Sequence, residues 1–205
     1  MIIGFLKEND EHENRTMLLP EHISKLSSLG FKILIENEYG KKIDIPDQLY
    51  ESSKAEIKSA EHISAHADVI AKISGKELSK YSYKNEVIII SAFFDKNNED
   101  LLTLKKNKNI EIFGLNYLPR ITRAQAMDVL SSQSNLAGYK SVIDTAYEFN
   151  KALPMMMTAA GTITPAKYFI IGAGVAGLQA IATAKRLGAV VSATDVRLAS
   201  KEQVE

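Results

Sequence analysis

Three glycines in Gly172-Ala-Gly174-Val-Ala-Gly177, and a carboxylate eighteen positions past the last of them at Asp195, carry the clearest chemistry in this chain. Glycines at the first, third and sixth places turn a strand sharply into a helix and let backbone approach a charged ligand closely. Gly172 serves the tight turn, Gly174 the close approach, and Gly177 the packing of helix on strand. Val175 and Ala176 open the helix, whose N–H groups and positive dipole end suit a pyrophosphate. Asp195 is placed to accept hydrogen bonds from ribose hydroxyls, with Val196 and Arg197 beside it. A carboxylate there repels a 2′-phosphate, so NAD(H) is expected over NADP(H). Arg197 has the charge to receive such a phosphate; its plainer reading is a strand-end cap or a solvated side chain.

Elements must hold these residues in place. Tyr168–Ile171 is an apolar run before the first glycine, Val175–Leu187 is an alanine-rich helical pattern, and Ala189–Ala193 is a second apolar run leading to Asp195. Strand, glycine turn, helix, strand and acid make a βαβ unit. Earlier in the chain, Ile2–Leu6, Lys32–Glu36, Val69–Ile73, Val87–Ala92 and Glu111–Phe113 predict strands. Several lack polar alternation, as strands of a parallel sheet covered on both faces do. Pro20–Ser28, Asp47–Lys54 and Glu99–Lys106 predict helices between them, and Asp95–Asn98 and Lys105–Lys108 solvated turns. Past Pro119, Ile121–Gln133 and Leu136–Asn150 predict two further helices. The expected fold is α/β, with two Rossmann-like parallel-sheet domains joined by a long helix and the second truncated. Residues 1–130 form the N-terminal domain; residues 131–205 form the connecting helix and first βαβ of a nucleotide-binding domain, with Lys201–Glu205 opening a next helix.

Composition narrows the classes. The chain has 205 residues, 25 basic and 25 acidic, so no surplus of positive charge points to a nucleic-acid surface. With no cysteine, disulfides, thiolate metal sites and cysteine nucleophiles are excluded. The four histidines are scattered; His62 and His66 stand four apart without an HExxH glutamate and predict a solvated helix face. Met1–Glu8 is too short and too acidic for a signal peptide. The uncharged window Tyr168–Ala184 approaches the length of a membrane span but holds the glycine turn, and reads as buried strand plus helix.

Longer motifs point further. Pro119-Arg120-Ile-Thr-Arg123-Ala-Gln125-Ala-Met-Asp128-Val-Leu-Ser131 and on to Tyr139 resembles the signature of the NAD(H)-binding domain of proton-translocating nicotinamide nucleotide transhydrogenase, alpha subunit. So do Pro154–Thr162 and Gly172–Val204. The resemblance is dense from residue 119 onward. Before that it is looser, and Lys7, Glu8, Glu13 and Arg15 match a pattern shared with alanine dehydrogenase. The resemblance implies that NADH sits here and NADP(H) on a partner beta subunit, with hydride passing between them and proton translocation through a membrane domain. It also implies a homodimer, held peripherally on the cytoplasmic face of the inner membrane by its partners. Arg120, Asp128 and Ser131 would orient the nicotinamide, and Gln125 would reach toward the facing nucleotide. Hydride transfer between rings releases no substrate proton, so positioning groups suffice and no general base is needed.

Two rival expectations remain. In an alanine dehydrogenase a substrate lysine would stand where this chain has Ser74, and a histidine near Ala92; neither is present, although Arg15 is retained. The other rival is a truncated, non-catalytic NAD-binding remnant. Alone, the 205 residues are expected to bind NAD poorly and to catalyse nothing.

Overall fold

The computed structural model describes residues 1–93, 99–107, 109–119 and 121–204. The chain divides into two compact units, Met1–Ala124 and Gln125–Glu205.

In the first unit, β1 (Ile2–Phe5), β2 (Lys32–Glu36), β3 (Ala55–Lys58), β4 (Val69–Ser74), β5 (Val87–Ala92) and β6 (Ile110–Gly114) form one sheet. Its order is β3-β2-β1-β4-β5-β6 and every neighbouring pair is parallel. Parallel neighbours require crossovers. Those crossovers carry α1 (Pro20–Ser28), α2 (Asp47–Ser52), α3 (Ala60–His66) and α4 (Glu99–Lys105). The apolar runs lack alternation because both faces are buried. Ile33 and Ile35 of β2 join Phe5, Ile23, Tyr39 and Tyr50 in one core, while Leu34 between them joins Ile63, Ile70, Ile89 and Phe93 in the other. Gly4 sits where α3 crosses β1: a Cβ there would lie 2.3 Å from Ile63 Cγ2.

One strand was not predicted here, and one predicted helix needs correction. β3 escapes the pattern because it is an edge strand carrying charge, with Lys32 of β2 pairing to Glu56 at 2.8 Å. The predicted helix Asp47–Lys54 stops at Ser52, and Lys54 takes a left-handed φ of 77° that no helix continues. The predicted turn at Asp95–Asn98 lies outside the described residues, as does Lys108.

In the second unit, the predicted pair of helices Ile121–Gln133 and Leu136–Asn150 is replaced by a 3-10 turn, Thr122–Met127, and one continuous helix, α5 (Val129–Glu148). Asp128 is the reason: its carboxylate caps the helix start by accepting the Ser131 N–H, which places the break there. The polar residues Ser134 and Asn135 then lie within the helix without ending it. An antiparallel hairpin that the pattern did not show follows, β7 (Met156–Thr158) and β8 (Gly161–Ile163). Next come β9 (Lys167–Ile171), α6 (Val175–Arg186), β10 (Val190–Thr194) and the short α7 (Lys201–Val204). β9 and β10 pair in parallel, so this is the predicted βαβ unit. Val142 of α5 and Ala180 and Ala184 of α6 pack on Tyr168, Ile170 and Val191, covering one sheet face. The opposite face is bare, with Phe169 64% and Ile171 82% exposed. Tyr168–Ala184 is thus strand, turn and helix. No helix among the described residues is long and apolar enough to cross a membrane.

Candidate functional site

The glycine turn is built as its spacing requires. Gly172 has φ 97°, in the region a side chain disfavours, and its N–H returns to Thr194 O at 2.7 Å. Gly177 lies against the turn: a Cβ there would come within 1.8 Å of Gly172 O. Gly174, the N-cap of α6, differs. A Cβ on it would meet only Arg197 Nη2, at 3.9 Å. Helix packing therefore needs the sixth-place glycine, whereas the third-place glycine faces open space. Above it the first turn of α6 directs N–H groups without helical partners. This cradle fits a pyrophosphate.

Asp195 follows β10 and turns back over the cradle. Its Oδ2 accepts the Ala173 N–H at 2.7 Å, and its Oδ1 accepts the Arg197 N–H at 2.8 Å. Arg197 also forks onto it, Nε to Oδ1 at 3.0 Å and Nη2 to Oδ2 at 3.1 Å. The guanidinium, with these backbone donors, holds the carboxyl well below the usual aspartate range. Asp195 and Arg197 line a crevice of about 300 Å³ with Ala173, Thr194, Leu198 and Lys201. Val196, fully exposed, stands outside its lining. Val175, 43% exposed, and Ala176 open α6 above the turn.

A second cluster lies at the start of α5. Ser131 Oγ donates to Asp128 Oδ2 at 2.6 Å and Ser131 N–H to Asp128 Oδ1 at 3.0 Å. Gln125 is exposed, and its carbonyl accepts the Asp128 N–H at 3.3 Å. Arg120 lies outside the described residues. The cluster and the turn share a rigid link: α5 crosses α6 at Gly138, where a Cβ would meet Ala176 O at 2.1 Å. Ser131 stands seven residues before Gly138, about 10 Å along the helix axis.

The positions read against alanine dehydrogenase fall together in the first unit. Ser74 and Ala92 are register partners on β4 and β5. Arg15 is engaged by Glu13, with Nε at 2.7 Å and Nη2 at 2.5 Å. His62 and His66 stack at 4.1 Å on an exposed face of α3, and the described residues hold no group of three metal ligands.

Among the described residues two acids are buried: Glu8, expected only as part of the N-terminal pattern, and Glu36, which was not singled out. Glu8 Oε2 pairs with Lys72 at 3.1 Å, and Oε1 accepts the Ile73 and Ser74 N–H groups. Glu36 ends β2, accepts the Lys7 N–H at 2.9 Å and lies 3.6 Å from its ammonium. The available signals were a lysine inside the apolar run Val69–Ser74, and an acid closing a strand, as Asp195 follows β10.

Comparison with known proteins bears on both units. Residues 4–137 match the family model "Alanine dehydrogenase/PNT, N-terminal domain", and residues 141–205 the corresponding C-terminal domain. The chain is 45% identical to the first of the polypeptides that make up the NAD(P) transhydrogenase alpha subunit of Rhodospirillum rubrum, over all of this chain and 55% of that protein. It is 43% identical to the protein of the same name from Rickettsia prowazekii, again over all of this chain and 55% of the relative. The chain thus spans about half the length of these relatives. The solved transhydrogenase of Sinorhizobium meliloti superposes with a TM-score of 0.90 at 51% identity, over all of this chain and 61% of that one. An L-alanine dehydrogenase structure superposes at 0.83 with 22% identity, over all of this chain and 57% of that one, a likeness of fold.

Proposed function

The chain belongs to the alanine dehydrogenase/PNT family, and from that premise we propose that it is the NAD(H)-binding part of a proton-translocating nicotinamide nucleotide transhydrogenase. The observation that carries this reading is the division of labour in the glycine turn: Gly172 and Gly177 are required by the fold, while Gly174 is open to a ligand.

Gly172, Gly174, Val175, Ala176 and Gly177 hold the pyrophosphate through backbone, and Asp195, Val196 and Arg197 flank the adenosine ribose. Bound NAD(H) supplies the hydride chemistry itself. Asp128 and Ser131, already locked together, orient the nicotinamide end with Arg120, and exposed Gln125 reaches outward to the facing nucleotide. Such groups position rings and move no proton, which is all that ring-to-ring hydride transfer asks. NADP(H) is held by a beta subunit, and proton translocation belongs to a membrane domain. The subunit works as a homodimer, peripheral to the membrane on its cytoplasmic side. The relatives' names, which make them subunits, support the need for partners. Ser74 and Ala92 side by side on β4 and β5 speak against oxidative deamination, because neither can take or hold a proton as lysine and histidine do.

Gly174→Ala tests the reading. Thermal unfolding should be unchanged, because the added methyl meets no backbone. NADH affinity, followed by fluorescence titration, should fall by about tenfold or more as the methyl enters the ligand's space. Unchanged affinity would remove the turn from nucleotide binding.

A further inference from the structure

Asp195 has no acceptor capacity left. A carboxylate offers about four lone-pair directions. Here four donors take them: the Ala173 N–H, the Arg197 N–H, and the Nε and Nη2 of the same arginine. The Asp195 side chain is only 9% exposed, whereas that of Arg197 is 62% exposed. A ribose hydroxyl that is to donate to Asp195 must therefore displace a donor already in place. The two backbone N–H groups are fixed by the ends of β9 and β10. The guanidinium is the movable one, and its Nη2 already reaches to within 3.9 Å of where a Gly174 Cβ would stand, over the phosphate cradle.

We propose that Arg197 is a specificity-determining positioning residue: it occupies and neutralises the ribose-reading carboxylate, and so moderates the discrimination against a 2′-phosphorylated dinucleotide. This rests on the reading of the turn as a dinucleotide site. A bare aspartate repels a 2′-phosphate. An aspartate capped by a forked arginine presents little net charge, and a displaced guanidinium is a bidentate partner for the phosphate itself. For NADH, the same displacement releases the arginine toward the pyrophosphate. Asp195 alone therefore overstates the selectivity, and Arg197 sets how much of it is expressed.

The test measures NADH and NADPH dissociation constants by fluorescence titration for the unsubstituted chain, Arg197→Gln, Arg197→Lys and Asp195→Asn. Arg197→Gln should raise the NADH-over-NADPH preference by about tenfold, because Asp195 is then unneutralised. Arg197→Lys, which keeps the charge but cannot fork, should restore most of the original ratio. Asp195→Asn should lower the preference below that of the unsubstituted chain. A merely structural arginine would move both constants together and leave the ratio alone; that result, or a ratio that falls in Arg197→Gln, overturns the inference while leaving the site standing. Because the chain alone is expected to bind weakly, both titrations run to millimolar nucleotide; if it binds neither nucleotide there, the dinucleotide reading fails and the inference falls with it.

Discussion

The two units solve the same local problem and arrive at opposite electrostatics. Each places an acid where the second strand of a parallel pair ends, and each gives that acid a backbone N–H from the turn after the first strand. Glu36 takes the Lys7 N–H at 2.9 Å; Asp195 takes the Ala173 N–H at 2.7 Å. In the first unit the turn after β1 runs Leu6-Lys7-Glu8, with bulky side chains and a buried leucine. The Glu36 side chain lies 8% exposed, and burial pushes its carboxyl up despite Lys7. In the second unit the turn carries glycines; the Asp195 side chain is about as little exposed, at 9%, but an exposed arginine covers it, and Arg197 drives its carboxyl down. Topology supplies the position, and the neighbouring side chains decide whether the acid's pKa is pushed up by burial or down by an arginine.

The strongest way to break this comparison is to fill the glycines. Gly177→Ala would drive a methyl into Gly172 O, which is backbone, and should destabilise the second unit by about 3 kcal/mol. Gly4→Ala meets the Ile63 Cγ2 methyl, a branch on Cβ that moves only with χ1 or with the helix, and should cost about 2 kcal/mol in the first unit. Urea unfolding of both variants decides it, and equal losses would show that the glycine turn is no tighter than an ordinary strand crossing.

Hydrogen exchange should separate the units next. Amides of β5, whose Val87 and Ile89 are fully buried, should exchange about a hundredfold more slowly than those of β9, with its bare Phe169 and Ile171 face. Equal protection of β5 and β9 would make the second unit as self-sufficient as the first.

The acids themselves should differ in binding. Asp195→Asn is expected to weaken NADH by about tenfold, while Glu36→Gln leaves NADH affinity unchanged. A loss in the Glu36 variant would give the first unit a share in the nucleotide site.

The smallest effect is in pH dependence, and its sign is opposite in the two units. Glu36 has a raised folded-state pKa, so its favourable contribution is full below its unfolded pKa and lost as pH rises through the folded value. Glu36→Gln should therefore stabilise slightly at about pH 7, with the gain vanishing near about pH 4. Asp195 has a lowered pKa, so its contribution is present above the unfolded value and lost as pH falls. Asp195→Asn should cost stability at about pH 7, and the cost should begin to shrink only as pH falls below about 4. Urea midpoints across that range show whether the signs differ; curves of one sign would erase the contrast.

Much of this architecture was legible in the residues. β2 and β5 match their predicted bounds because runs such as Lys32–Glu36 combine β-branched residues with flanking turns. The α/β class follows from such runs alternating with helical patterns. The edge strand β3 was not legible, since its Ala-Glu-Ile-Lys carries little apolar content and its strand state comes from pairing with β2. Nor was the hairpin β7–β8, where Met156–Thr158 pairs with Gly161–Ile163 around a two-residue turn. Helix α5 was cut in two because Ser134 and Asn135 look like an interruption, whereas Asp128 supplies the real boundary by capping.

The linear order of residues was enough to place a glycine turn at Gly172–Gly177 and an acid at Asp195, because glycine spacing and strand–helix–strand period are local properties of the chain. It was also enough to set aside thiol chemistry, since there is no cysteine to perform it. Whether an acid ending a strand is buried against its turn or covered by an exposed arginine was decided only in three dimensions. Glu36 and Asp195 are both carboxylates following apolar strands, and their different fates depend on which side chains the fold brings over them. The fork of Arg197 onto Asp195, the lock of Ser131 on Asp128 and the crossing of Gly138 over Ala176 belong to that level too. Each depends on directions and separations that spacing along a chain leaves open, since the same intervals permit many side-chain orientations and packing selects one.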